Sequence, residues 1–152
     1  MSYEDLLRQR VIEPVEVSKK EILEHLRLAR HDISISRDIA SIDLDWAFNI
    51  TYNGILQTAL AYMCSEGYRP RGEGKHLNTF RFLKASLPEA YKKEVDRLQK
   101  LRRKRNRAVY ETRGIITKKE MEAVIGFAED FFEEMLGFMP EDYKGVLQRK
   151  DE

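Results

Sequence analysis

Trp46-Ala-Phe-Asn-Ile-Thr-Tyr-Asn-Gly-Ile-Leu-Gln-Thr-Ala-Leu-Ala-Tyr-Met63 is the stretch that decides the fold. Its apolar members are Trp46, Ala47, Phe48, Ile50, Tyr52, Ile55, Leu56, Ala59, Leu60, Tyr62 and Met63. They occur at too many angles around a helical turn to make a single stripe. A helix that is apolar over much of its girth sits centrally in a bundle, or places one face in a subunit interface. Asp43 or Asp45 can cap its start, and Gly67 is a good stop after about Glu66.

Working outward, Ser18-Lys-Lys-Glu21 is a capping box that opens a preceding amphipathic helix. Ile22, Leu26, Ala29, Ile33 and Ala40 follow three-and-four spacing, and the pattern ends near Ser41. A looser box, Ser2-Tyr-Glu-Asp5, predicts a short helix to about Arg10, broken by Pro14, Val15 and Val17. On the other side, Tyr68 to Lys75 reads as an irregular loop. His76 to Ala85 reads as a short helix with Leu77, Phe80 and Leu83 inward. Pro88 suits the first turn of a helix from about Glu89 to about Val109, and Gly114-Ile-Ile116 breaks that pattern. Thr117-Lys-Lys-Glu120 caps a last long helix carrying Met121, Val124, Ile125, Ala128, Phe131, Phe132 and Met135, ended by Gly137 and Pro140. No strand-period segment is long enough to trust. The expected architecture is all-α: an antiparallel bundle of four main helices with a short fifth helix. Residues 1–16 form an N-terminal helical arm and 17–137 the bundle. Residues 138–152 form a tail, polar and frayed from Tyr143.

Composition narrows the function. A chain of 152 residues is normally one domain with a real core. The charged fraction is 35%, yet the signs nearly cancel to a net +1. Bulk attraction to nucleic acid or to a membrane surface is thereby excluded, and only a local patch could supply it. No run of about 18 apolar residues occurs, and no apolar run follows Met1-Ser-Tyr-Glu-Asp5, so neither a membrane span nor a signal peptide is expected. The single cysteine, Cys64, permits no internal disulfide and lies in an apolar pattern, as a small core hydrophobe would. The expected compartment is the cytoplasm.

Several constellations fail on spacing. His25 and His31 are six apart, which turns them roughly 120° from each other on a helix. No pair or cluster has metal-ligand spacing, so neither a metal nor another cofactor is expected. Gly72-Glu-Gly-Lys75 resembles a phosphate loop only superficially: Arg69 stands where the motif needs its first Gly, and His76 where it needs Ser or Thr. The plain reading of this loop is an interhelical connection. Its functional alternative is that Arg69, Arg71, Lys75 and His76 fold onto an anionic ligand at a helix N-terminus. Glu129-Asp130 and Glu133-Glu134 read as a solvated face or a partner for the basic helix.

The unusual segment is Leu98-Gln-Lys-Leu-Arg-Arg-Lys-Arg-Asn-Arg-Ala-Val-Tyr110, which carries six basic residues in the eight positions 100–107. Arg102, Arg103, Lys104 and Arg107 suit a solvated helix end. Arg105 does not, because it shares a stripe with Leu98, Leu101 and Ala108. A guanidinium at a core-type position is costly unless it is paired, hydrogen-bonded or open to a cleft. The candidate ligand-binding set is therefore Arg102, Arg105 and Arg107, together with Arg69, Arg71, Lys75 and His76.

Arg105-Asn-Arg-Ala-Val-Tyr110, late in the bundle, resembles the motif region of the HEPN family, small all-α domains whose signature is an Arg, a polar residue and a following His. Asp45 to Ala61 is similar to that family's central helix. Gly67-Tyr-Arg-Pro70 with Gly74-Lys-His76 and Phe80 is similar to the loop and short helix after it. The resemblance covers most of residues 18–137. It implies a homodimer with two motifs in a shared cleft, acting on RNA or a nucleotide. Active members are metal-independent ribonucleases, often toxins paired with a nucleotidyltransferase-fold antitoxin. It marks Arg105, Asn106 and Tyr110 as the catalytic positions. Tyr110 stands where His is expected, and no His follows Arg105. A phenol titrates near pH 10 and is a poor proton shuttle at neutrality. Helix geometry also turns Tyr110 about 140° from Arg105, so the two meet only if the helix ends there or a second subunit contributes. Three readings follow. The first is a dimer binding RNA, a nucleotide or a partner protein around Arg105 with little or no nuclease activity. The second is a working ribonuclease in which Tyr110 or a group from elsewhere replaces His. The third is an adaptor bundle in which Arg105 is an ion-pair residue, with Glu129 or Glu133 as its partner.

Overall fold

The computed structural model describes residues 2–149. Among them the chain forms helices α1 (Tyr3–Arg8), α2 (Lys19–Ala40), α3 (Leu44–Ser65), α4 (Lys75–Ser86), α5 (Lys92–Tyr110), α6 (Lys118–Gly137) and α7 (Glu141–Arg149). A short 3₁₀ turn, Glu89–Tyr91, leads into α5. The protein is an all-α bundle. No helix of the described residues is long and apolar enough to cross a membrane.

The apolar helix α3 is the axis, packing against α2, α4, α5 and α6. Phe48, Thr51, Ile55, Thr58, Ala59 and Met63 are buried along it. Thr51 and Thr58 satisfy their hydroxyls within the helix, donating to the carbonyls of Ala47 and Gly54. That lets two polar side chains sit in the core without an orphaned donor. Asp43 is the cap, accepting from Trp46 N–H at 3.0 Å. Asp45 serves a different end: it accepts from Gly114 N–H at 3.0 Å and from Arg113 Nε at 3.1 Å. The chain leaving α5 is thus tied to the start of α3.

Both outer helices begin where their sequences predict, although at α2 only the Ser18 half of the expected box forms. Ser18 accepts from Glu21 N–H, and at α6 the box is reciprocal: Thr117 Oγ1 accepts from Glu120 N–H, while Thr117 N–H donates to Glu120. Glu120 also takes Lys104 of α5 as a partner, and that bond holds its carboxyl below the usual range. Thr117→Ala is expected to cost about 1 kcal/mol in urea denaturation, the usual worth of a capping hydroxyl. An unchanged midpoint would mean that the α6 cap adds nothing.

Three features depart from the sequence reading. Residues Ile12–Pro14 (β1) and Tyr68–Pro70 (β2) pair as an antiparallel ribbon, with Ile12 opposite Pro70, in segments expected to be irregular. The pairing ties the N-terminal arm into the bundle: Leu6 and Ile12 are buried, and Tyr3 stacks on Phe82 at 4.9 Å between ring centroids. Phe80 and Leu83 are fully buried as expected, but Leu77 is only half-buried, and Phe82 is fully buried as well, where the arm covers it through Tyr3. The third departure is the C-terminus. The described part of the expected polar tail is helix α7, which buries Tyr143 and Leu147 and packs against α2 and α6. These two residues are one helical turn apart, which suffices to dock a short helix but not to announce one. Residues 150–152 of that tail lie outside the described residues.

Candidate anion-binding site

The site is built on α5, whose inner stripe is Leu98, Leu101 and Ala108, all buried. Arg105 continues that stripe and is half-buried. Its guanidinium carbon lies 5.7 Å from the ring centroid of Tyr52 and 5.8 Å from that of Tyr110. Two aromatic faces hold a planar cation by the attraction of its charge to their quadrupoles. Long hydrogen bonds to amide oxygens complete its contacts: Nε to Asn49 Oδ1 at 3.4 Å and one terminal nitrogen to Asn106 Oδ1 at 3.5 Å. α5 ends at Tyr110, the condition under which the two motif positions meet despite their angular separation.

Among the described residues no carboxylate is ion-paired with this cluster: none of the ion pairs there involves Arg102, Arg103, Arg105 or Arg107. Glu129, one of the carboxylates expected for Arg105, pairs instead with Arg37 of α2. Arg102 donates to Gln99 Oε1 at 2.8 Å, a neutral partner. The guanidinium at a core-type position is therefore stabilised by rings and amides, which orient it without cancelling its charge.

Tyr52 links this cluster to α4. Its ring is buried beneath Arg105, and its hydroxyl meets His76 Nδ1 at 3.1 Å, with the two rings 5.7 Å apart. Burial pushes the Tyr52 phenol far up, against the opposing pull of Arg105 and Arg102, so the hydroxyl keeps its proton across the working range. Burial and the positive charges of Arg105 and Arg102 hold the His76 imidazole below its usual range. His76 is thus neutral at pH 7. An imidazole from α4 thus reaches the same tyrosine whose ring lies under Arg105.

The remaining candidates separate. Arg69 and Arg71 turn to Glu13 of β1, at 2.6 and 3.8 Å, so their charges are met across the ribbon. Lys75 and Arg107 are exposed. Asn106 touches Arg105, and Tyr110 is 73% exposed beside it. Trp46 and Val109, also exposed, line a small cavity of about 80 Å³ between α3 and α5 together with Asn49, the residue that accepts from Arg105. Asn49 and Tyr52 are the members that sequence reasoning missed. Their signal was a polar residue and a tyrosine three apart on an otherwise apolar helix, which puts both on one face.

Other titratable groups offer less. His25 bonds Gln57 at 2.6 Å, and His31 is exposed. Burial, reinforced by Glu21, pushes the Cys64 thiol up, away from nucleophilic character. No group of three His, Cys, Asp or Glu among the described residues could hold a metal ion. A cavity of about 510 Å³ between α5 and α6 is lined by Glu94, Glu122, Asp130 and Glu134 against Lys93 and Arg97. Burial, with Glu94 and Asp130 nearby, pushes the Glu134 carboxyl up, a sign of crowded negative charge that disfavours phosphate. No protein-family model matches the sequence, and a search of the curated proteins finds no match.

Proposed function

We propose that this protein is a HEPN-like domain that binds RNA or a nucleotide through Arg105, with Arg102, His76 and Asn106 beside it. The observation that carries the reading is the state of Arg105: half-buried on the core stripe, held between two tyrosine rings and unpaired with any carboxylate among the described residues. A cation so placed is oriented in advance and retains its full charge for an incoming anion. A net charge of +1 fits binding through this local patch and not through the whole surface. The direct test is fluorescence anisotropy of a labelled RNA across a salt series. Binding that weakens with salt and depends on Arg105 supports the reading; salt-independent binding, or none, rejects it.

Dimerisation belongs to the same proposal. Tyr110 is exposed beside Arg105, and Trp46 and Val109 are exposed around the cavity that Asn49 shares; a second copy covering them would bring two Arg105 clusters together. Sedimentation of the native chain is expected to give a dimer at micromolar concentration, and Trp46→Glu a monomer. A native monomer would remove the shared cleft.

A second reading, a metal-independent ribonuclease, is favoured by one observation: the imidazole of His76 adjoins Arg105 through Tyr52. Cleavage that survives a chelator and disappears in Arg105→Ala would select this reading over simple binding.

A further inference from the structure

We propose, resting on the reading of Arg105 as an anion site, that His76 is a third ligand-holding cation of that site. The group it helps hold is a phosphomonoester dianion, whose binding draws a proton from solvent onto the imidazole.

The geometry starts with Tyr52. Its hydroxyl fixes Nδ1 of His76 at 3.1 Å, and the same ring carries Arg105 at 5.7 Å. Because this contact occupies Nδ1, Nε2 is the ring nitrogen left for a ligand. The tyrosine oxygen serves both protonation states. It donates to Nδ1 of the neutral imidazole and accepts from Nδ1–H of the imidazolium, since a hydroxyl can act either way. Tyr52 is thus a positioning residue that tolerates the change of charge.

The electrostatics supply the coupling. The charged groups acting on His76 are Arg105 and Arg102 from α5; α3 contributes the uncharged Tyr52, and its own helix contributes the adjacent, exposed Lys75. With no carboxylate paired to either arginine among the described residues, the site carries two positive charges, and burial together with these charges keeps the imidazole neutral. A ligand bearing two negative charges cancels that field, and the imidazole can then take a proton and become a third donor. A phosphodiester, with one negative charge, leaves the field half in place. Phosphomonoesters lose their second proton near pH 6 and so arrive as dianions at neutrality. The sign follows from linkage. The complex holds more protons than the free protein, so affinity rises as the pH falls toward the ordinary imidazole range.

Two sources offer this chemistry, a free mononucleotide and the phosphorylated end of an RNA. The experiment follows the His76 ring resonances of the full chain by NMR over a pH series, alone and saturated with a nucleoside monophosphate. Sulfate, a dianion that does not titrate here, is a second probe. The midpoint is expected to rise by about one unit on saturation, and sulfate binding to strengthen by roughly three- to six-fold between pH 8 and 6. In His76→Gln the binding persists but its pH dependence flattens; Tyr52→Phe, which keeps the buried ring, gives a smaller midpoint shift. Matched RNAs with a terminal phosphate or a terminal hydroxyl complete the test. Tight binding of the monophosphate alone supports the free nucleotide as source, and a requirement for the phosphorylated RNA supports the chain end. Equal binding of both RNAs overturns the dianion assignment. An unmoved His76 midpoint alongside Arg105-dependent binding overturns the role of His76 while leaving the anion site intact. No Arg105-dependent binding of any probe removes the underlying site and this inference with it.

Discussion

Gly54→Leu is expected to lower the thermal midpoint by roughly 6–12 °C, corresponding to about 3 kcal/mol for a domain of this size. A Cβ built on Gly54 would lie 2.7 Å from Ile33 Cγ1 and 3.1 Å from the Ala29 carbonyl oxygen. The first contact could be eased by moving a side chain. The second is with the backbone of α2, and it yields only if the two helices part. α2 and α3 form the most extensively packed helix pair of the bundle, so separation there loosens the contacts of Ala29, Ile33 and Ile55 together. Gly54→Ala should cost much less, because alanine regains up to about 1 kcal/mol of helix propensity against the same crowding. Thermal melts of the two variants decide the point. A leucine variant melting with the native protein would mean that α2 and α3 are not in close contact at Gly54.

The same helix explains what the sequence made legible. The apolarity of α3 around most of its circumference required neighbours on several sides, and Asp43, Gly67 and Thr117 marked ends that the structure places within a residue or two. Local signals suffice where the deciding interactions are local. They fail for β1 and β2, because three residues are too few for an alternating pattern and their pairing joins distant segments. They also fail for α7, where Tyr143 and Leu147 are buried by α2 and α6 and not by anything near them in the chain.

The site divides in the same way. Arg105 stood out because one helix stripe contained a charge, which is a local contradiction. Its surroundings could not be read so directly. Asn49 and Tyr52 looked like parts of an apolar helix, and His76 like the start of a short helix after a basic loop, until the packing of α3 against α4 and α5 linked them to one guanidinium, His76 through Tyr52. The loop arginines shared a sequence neighbourhood with His76 but not its environment, because β-ribbon pairing brought Glu13 to them.

Arg105→Ala is expected to weaken binding of a phosphate-bearing ligand by roughly 10- to 100-fold, the worth of charge-assisted hydrogen bonds from one guanidinium. Two opposing terms should leave the fold nearly unaffected. The alanine loses the cation–π contacts with Tyr52 and Tyr110, but it also relieves a half-buried cation that no carboxylate among the described residues neutralises. Arg105→Lys retains the charge yet lacks the planar fork that lies against two rings and reaches Asn49 and Asn106, so it should recover only part of the affinity. Arg103→Ala removes the same unit of charge from an exposed position on the same helix. It should lower affinity only about two- to three-fold, as the loss of one screened surface contact would. Titrations at one fixed ionic strength, with thermal melts of each variant, separate these contributions. If Arg103→Ala and Arg105→Ala weaken binding equally, the basic segment acts as diffuse charge and the oriented guanidinium has no special role. If only Arg105→Ala removes binding while its melt stays within a few degrees of native, the cation held between Tyr52 and Tyr110 is the recognition element.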